Sequence, residues 1–246
     1  MSEAIALRCG RTGAGTLFRV GRVVSAVVPA LISVSPAQAQ VAGSLSLTSN
    51  AMFRGETVSR DDPAATLGLN YDGPGGFYVG ASATVAAGAN RPHVATAEQY
   101  AGFARRLGST SFELGVIHRS YDRVVDEDYR RGFFEGYVGF AHRRVRGRLY
   151  VSPDYLRDGR ASYYAELNAR LIALGKWSLD GHGGLSLIPG DAAAGGSKLE
   201  NYEDWRLQLS RPLGRLMVST GLSATNYPVY SESGKVRAFA SVMYAF

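Results

Sequence analysis

The stretch "ASYYAELNARLIA", residues 161–173, alternates between two kinds of side chain. One register carries small and apolar residues: Ala161, Tyr163, Ala165, Leu167, Ala169 and Leu171. The other register carries polar and charged residues: Ser162, Tyr164, Glu166, Asn168 and Arg170. Because successive side chains of a β-strand point to opposite faces, this pattern predicts a strand with one apolar face and one charged face.

Comparable alternation recurs along the chain after Gln40, without any sustained helical period. It predicts twelve strands, at approximately 42–54, 64–72, 76–87, 97–107, 110–121, 131–143, 146–155, 160–172, 176–188, 200–212, 215–226 and 235–246. A tilted strand needs ~9–11 residues to cross a bilayer, whereas strands of globular sheets average ~5–6 residues. The predicted lengths therefore favour an all-β protein whose strands cross a membrane.

The predicted connections between strands are alternately short and long. Short ones rich in Gly or Pro lie at 72–76, 107–109, 143–147, 173–176 and 212–215. The intervening connections are mostly longer and polar, at 54–62, 86–96, 122–131, 188–198 and 226–234, with 157–159 as a short exception. Alternating turns and loops are typical of an antiparallel up-and-down outer-membrane barrel with both termini in the periplasm.

The charged face of these strands favours a membrane barrel over a soluble β-sandwich, which remains the alternative. Charges of both signs in mid-strand suit a wet, closed lumen, and four aromatic residues near strand ends, Trp177, Trp205, Tyr244 and Phe246, suit interfacial girdles. We predict that the pore is lined by Arg54, Glu113, Arg119, Glu135, Arg148, Glu166, Arg170, Asp180, Asp204, Arg206 and Arg237. Both signs are represented, so no ion preference is predicted.

The pattern of residues 1–39 predicts a cleaved export signal, and the barrel is then expected to span residues 40–246. A basic region is followed by the apolar run "VVSAVVPALISV" and by Ala37 and Ala39, which suit a cleavage site. The whole chain carries a formal charge of +6, but without residues 1–39 it has 23 basic and 20 acidic residues, a charge of +3. A nucleic-acid partner is therefore not expected. The single cysteine, Cys9, would also be removed.

Two segments near the start of the predicted barrel carry a family resemblance. They read "SNAMFRGET" at 49–57 and "GFYVG" at 76–80, with Pro63-Ala64 between them. They resemble the TorF family of porins, in which the pattern is Ser-Asp-Tyr-x-Phe-Arg-Gly-x-Ser, then Pro-Ala, then Gly-Phe-Tyr-x-Gly. The resemblance is specific over residues 47–82, and it implies an outer-membrane β-barrel classed as a porin. Asn50-Ala51 and Thr57 depart from the family pattern.

Arg54 falls in the polar register at the end of the first predicted strand, and Gly55 permits a turn into the first long loop. One interpretation of Arg54 is a cation at the pore mouth. The other is an ion pair at the barrel rim with a carboxylate of a neighbouring strand.

Enzyme and metal chemistry find little support in the sequence. His118 and Ser120 share a strand face, but side chains two residues apart stand ~7 Å from each other, too far for a catalytic dyad. His182 and Asp180 together supply fewer ligands than a metal site needs, so hydrogen bonding in the lumen is favoured. We predict no enzymatic activity, no cofactor and no metal.

The chain ends in "VRAFASVMYAF", residues 236–246, whose apolar register finishes on Tyr244 and Phe246. This segment looks like the C-terminal assembly signal of outer-membrane barrels, which implies the barrel-assembly machinery as a partner. It is expected to pair with the strand at 42–54 and leave no free edge.

Together these features predict a protein of the bacterial outer membrane, in contact with its lipid, that forms a narrow pore for passive diffusion of small polar solutes. The alternative is a non-conducting barrel that serves as a structural or surface-contact protein.

Overall fold

The computed structural model describes residues 40–88, 91–121, 131–155, 159–189, 201–227 and 234–246. The predicted export signal at 1–39 and parts of the long connections, among them 122–130 and 190–200, lie outside the described residues.

Twelve antiparallel strands form a closed barrel in which each strand pairs with its neighbour in the chain. The strands are β1 (Gln40–Thr48), β4 (Ala64–Asp72), β5 (Phe77–Ala86), β6 (His93–Leu107), β7 (Thr110–Tyr121), β8 (Gly132–His142), β9 (Val145–Ser152), β10 (Ser162–Leu174), β11 (Trp177–Leu187), β12 (Tyr202–Leu213), β13 (Leu216–Thr225) and β14 (Arg237–Ala245). The predicted fold class and the predicted number of barrel strands are confirmed.

The barrel closes between its first and last strands. β1 pairs with β14 from Ser44 opposite Ala245 to Thr48 opposite Ser241. Beyond this register, Gly43 and Phe246 exchange two backbone hydrogen bonds, of 2.8 and 2.9 Å. The expected pairing of the C-terminal strand with the first strand is therefore confirmed, and the wall has no free edge.

The exterior of the wall is apolar and the interior is polar. Large apolar side chains are exposed on every barrel strand, for example Leu67, Leu114 and Leu207, whereas Arg119 and Glu135 are buried inside. This arrangement is the reverse of a soluble protein and is that of an outer-membrane-type barrel in lipid. Trp177 and Trp205 are exposed near opposite ends of the wall, where aromatic girdles lie. Among the described residues, no helix is long and apolar enough to cross a bilayer.

Inside the barrel, tyrosine rings lie over glycines of adjacent strands. A Cβ added at Gly184 would overlap the hydroxyl of Tyr164, and one added at Gly102 would lie 2.5 Å from the ring of Tyr78. Covering a strand glycine with an aromatic ring fills the space of the missing side chain. The glycines thus make room for a layer of buried tyrosines without widening the barrel.

The first predicted strand, 42–54, is wrong at its end. β1 stops at Thr48, and the chain then forms a small inner hairpin, defined here as residues 52–57, from β2 (Met52–Phe53) and β3 (Glu56–Thr57). The buried side chain of Asn50 accepts hydrogen bonds from Thr57 at 2.6 Å and Ser59 at 3.2 Å. These bonds turn the chain out of the wall, although Met52 and Phe53 continue the alternating pattern.

Candidate functional site: the barrel lumen

The inner hairpin enters the lumen from the ends of β1 and β4. It crosses the lumen through two contacts, the backbone of its tip against β12 and β13 and the Arg54 side chain against β8. Its turn, Arg54–Gly55, has positive φ at both residues, +46° and +79°. A Cβ added at Gly55 would lie 2.7 Å from Thr225 Cβ and 2.9 Å from Asp204 Cβ. The tip therefore packs against β12 and β13 at a distance that only glycine allows.

Arg54 ends this crossing in a buried ion pair. Its Nη2 donates to Glu135 Oε1 on β8 at 2.7 Å, and the two side chains are 4% and 1% exposed. Its guanidinium lies 3.8 Å from the ring centroid of Tyr164 on β10, a cation–π contact. The predicted ion pair of Arg54 with a carboxylate is present, but the partner is on β8 and not on a neighbouring strand, and the buried guanidinium is not a cation at the pore mouth. The inward fold of the loop is the physical reason.

A chain of buried charges continues from Arg54 along the wall. Arg119 on β7 donates through Nε to Glu98 at 3.0 Å and through Nη1 to Glu135, which also accepts from Arg54. Two arginines and two carboxylates thus alternate within the lumen. Glu98 was not among the predicted residues.

A second network lies closer to the short turns. Arg148 donates to both carboxylate oxygens of Glu113, at 2.6 and 3.0 Å. Tyr78 donates to Glu113 at 3.1 Å and shares a hydrogen bond of 2.6 Å with Tyr137. Glu166 accepts from the Tyr150 hydroxyl at 3.2 Å. These predicted pore-lining residues therefore form hydrogen bonds with side chains of other strands of the wall.

His182 and Asp204 form a third group. Asp204 accepts from the Tyr164 hydroxyl at 2.9 Å, and its other oxygen lies 2.8 Å from His182 Nε2. His182 Nδ1 lies 2.9 Å from Asn168 Oδ1. Asp180, which shares a strand face with His182, bonds with Arg170 at 3.4 Å and Ser178 at 3.0 Å. His182 is a hydrogen-bonding residue of the lumen.

The inner hairpin is also tied down at the loop end. Arg237 on β14 lies 3.3 Å from Asp61 and 3.9 Å from Glu56 of the hairpin. Its position in the polar register was predicted, and its partners lie in the segment predicted as the long polar connection at 54–62.

A layer of aromatic residues lies at the loop end of the barrel, and the sequence analysis did not identify it. Phe53 of the inner hairpin lies 5.9 Å from Tyr121, and Phe133 lies 4.8 Å from Tyr155, between ring centroids. The Tyr155 and Tyr202 hydroxyls are 3.2 Å apart. Through Phe53 and Tyr121 the layer contacts the hairpin.

A basic cleft lies toward the short turns, between β8 and β12. It is lined by Arg143, Arg144, Arg146, Asn168, Ala169, Arg170, Asp180, Gly181, His182, Arg206 and Gln208. Arg170, Asp180 and Arg206 were predicted candidates. Arg143, Arg144 and Arg146 were missed because they fall in or beside the predicted turn at 143–147, although the run "HRRVRGR" signals local positive charge.

His118 lies on the outer side of the wall. Its Nδ1 is 2.9 Å from Gln99 Oε1, and its ring is 4.5 Å from that of Phe134. Over the part of the chain that the structure describes, no group of three or more potential metal ligands occurs.

Comparisons with solved structures show the same kind of fold. The KdgM porin matches with a TM-score of 0.51 at 11% sequence identity, covering 83% of this chain and 99% of the porin. A structure from work on the in-meso crystallization of membrane proteins matches with a TM-score of 0.52 at 10% identity, covering 84% of this chain and 83% of the other. At such low identity the likeness concerns the fold alone.

Sequence comparison identifies the family. No match was found among curated protein sequences. A model of a bacterial family described as being of unknown function, Gcw_chp, matches residues 33–242, which include every described barrel strand except the end of β14. The chain therefore belongs to the Gcw_chp family.

Proposed function

We propose that the protein is a porin-type channel of the outer membrane, through which small polar solutes diffuse passively. The observation that carries this proposal is the charged lumen inside a closed wall of twelve strands. Barrels of eight strands are nearly filled by side chains, whereas those of sixteen or more leave an open channel. Twelve strands leave room for a narrow path.

In this proposal the inner hairpin sets the width of the path. The hairpin is a loop and not part of the wall, so it can leave the lumen while the strands stay paired. Its tip is held by the ion pair between Arg54 and Glu135, and Arg237 contacts Glu56 of the hairpin and Asp61 beyond it. Loosening these contacts would widen the path without unfolding the barrel.

Sequence features support the remaining parts of the proposal. The resemblance of residues 47–82 to the TorF porins favours membership of that family. The pattern of residues 1–39 favours export, and the apolar C-terminal strand favours recognition by the barrel-assembly machinery.

A second candidate function is that of a non-conducting structural barrel. The observation in its favour is the chain of paired charges from Arg54 to Glu98, whose side chains are at most 12% exposed. If these contacts persist in the membrane, the lumen stays closed and the long loops are the functional surface.

Conductance in a planar bilayer separates the two candidates. The wild-type protein is compared with a variant in which residues 52–57 are replaced by Gly-Gly. Val58 N donates to Ala51 O at 2.8 Å, so the two ends to be joined are already adjacent. We expect small current steps from the wild type and larger ones from the shortened variant, because the lumen loses its crossing segment.

A point variant and its control refine this test. Arg54→Gln removes the charge that holds the hairpin tip and should increase the fraction of time spent open. Arg60→Gln changes an exposed arginine of the same loop and should leave the current unchanged. If neither the wild type nor the shortened variant gives steps above background, the channel proposal is rejected in favour of the structural barrel.

A further inference from the structure

The basic cleft has an excess of positive charge that the rest of the described lumen does not share. Its lining holds five arginines, at positions 143, 144, 146, 170 and 206, and a single carboxylate, Asp180. Elsewhere in the described lumen, arginines lie beside carboxylates in comparable number, as with Arg54 and Glu135 or Arg148 and Glu113.

Strand register explains why these side chains meet. Arg146 on β9 is paired with Asn168 on β10, which is paired with His182 on β11, which is paired with Arg206 on β12. Paired residues on adjacent strands stand ~5 Å apart and point to the same face of the sheet. The four side chains therefore form one continuous row across four strands.

A second row lies next to the first on the side of the short turns. Arg170 is paired with Asp180, which is paired with Gln208. The backbone N–H of Arg170 donates to the carbonyl of Arg144 at 2.9 Å, so the turn between β8 and β9 extends this row. The two rows supply guanidinium, amide and imidazole groups around one space.

Most of the acceptors close to this space are already engaged. Asp180 accepts from Arg170 and Ser178, and Asp204 accepts from Tyr164 and contacts His182. Arg146, Arg170 and Arg206 lie within the wall, and Arg143 and Arg144 are exposed at its edge. Positive charges this close together repel one another and raise the local concentration of anions. An oxyanion bound between them would lower that repulsion.

We propose that the basic cleft binds small solutes that carry two or more oxyanion groups, such as carboxylates or phosphates. Guanidinium groups recognise such groups through paired N–H donors. Arg146 and Arg206 end the first row on opposite sides, so two groups on one molecule match the cleft better than one. Where transport is concerned, this site rests on the proposed function. It deepens that function by naming the class of solute that enters from the short-turn end.

Titration calorimetry on the purified full-length protein in a zwitterionic detergent at low ionic strength tests the site. Citrate, inorganic phosphate and chloride are the probes. We expect saturable binding of citrate, weaker binding of phosphate, and no saturable signal with chloride. Equal signals from citrate and chloride at equal ionic strength would mean general screening and would overturn the proposal.

Two pairs of substitutions test the location. Arg146→Gln with Arg206→Gln should weaken citrate binding at least tenfold. The matched control, Arg105→Gln with Arg106→Gln, removes two exposed charges from the end of β6, beside another short turn at the same end, and should change the affinity less than twofold. Similar losses in both pairs would show that net charge, and not the cleft, attracts the anion.

A third pair covers the case in which the interior variant fails to fold, as judged by heat-dependent migration on gels. Arg143→Gln with Arg144→Gln alters exposed turn residues at the edge of the cleft and should weaken citrate binding about threefold. An unchanged affinity there would overturn the assignment. Citrate binding without conductance would reject the channel and retain the site, whereas conductance without citrate binding would reject only the site.

Discussion

Arg119 has a carboxylate on each side, in a position from which water is largely excluded. It bonds with Glu98 and with Glu135, and its side chain is 4% exposed. A buried ion pair adds little net stability when compared with an apolar pair, but removing one partner leaves an uncompensated charge. The contribution of Arg119 is therefore to pair with two acidic side chains inside the wall.

Replacing Arg119 by methionine should reduce the free energy of unfolding by about 3–5 kcal/mol, because Glu98 would lose its cation and Glu135 one of two. The measurement is denaturant unfolding of the protein in lipid vesicles. Arg105→Met, at an exposed position, is the control and should change the stability by less than ~0.5 kcal/mol. Equal midpoints for the two variants would contradict a role for the buried pair.

Sequence reasoning identified most of these charged residues because each falls in a polar register. It missed Glu98, which is the second residue of the predicted strand 97–107. The strand begins at His93 instead, which places Glu98 well inside the wall. Which arginine meets which carboxylate could not be predicted, since Arg54 and Glu135 meet across the lumen and are far apart in the chain.

The barrel strands were largely predictable because each one keeps the same alternation of outward-facing apolar and inward-facing polar side chains along its length. β4 and β7 have the predicted bounds, 64–72 and 110–121. The inner hairpin was not predictable from periodicity, because Met52 and Phe53 keep the alternation after the wall has ended. Its cause is a set of side-chain hydrogen bonds around Asn50, and such contacts leave no periodic signal.

Two neighbouring glycines of β11 differ in the face they occupy. Gly184 lies under Tyr164 and beside Asp204, whereas nothing lies within 4 Å of a Cβ added at Gly183. Gly184→Ala should therefore destabilise the barrel by about 1–3 kcal/mol, because the added methyl overpacks the lumen. The measurement is the temperature at which the folded band is lost on gels.

Gly183→Ala is the matched control for this prediction. It introduces the same methyl group one residue away on the outer face, where the added atom meets open space. It should leave the melting temperature unchanged or slightly raised. If both variants have the same melting temperature, the tyrosine layer does not depend on close contact with glycine.

The barrel as a whole has an apolar outer band bounded by aromatic residues. Trp177 lies at the short-turn end of the wall, where the guanidinium of Arg211 is 5.1 Å from its ring. Leu207 lies at the middle of β12, and Leu213 ends that strand. Both leucines are exposed, so depth in the bilayer is the main difference between them.

An arginine substituted at each of these two positions should lower the stability of the barrel by a different amount. Leu207→Arg places a charge near the bilayer midplane and should lower the stability by about 2–4 kcal/mol, whereas Leu213→Arg should cost about 0–1 kcal/mol near the interface. Folding equilibria in vesicles measure both. The same cost at both positions would be inconsistent with a lipid-facing band centred on the strands.

The junction between β1 and β14 has a consequence for the order of events during assembly. It pairs Ser44 with Ala245 and so joins the two ends of the folded chain, whereas β6 and β7 pair across a short turn. Bringing such distant segments together costs the most chain entropy, so we expect this junction to form last. Until then both strands have open edges that can pair with other chains. Reliable closure thus depends on keeping the first strand shielded from other molecules until the last strand reaches it.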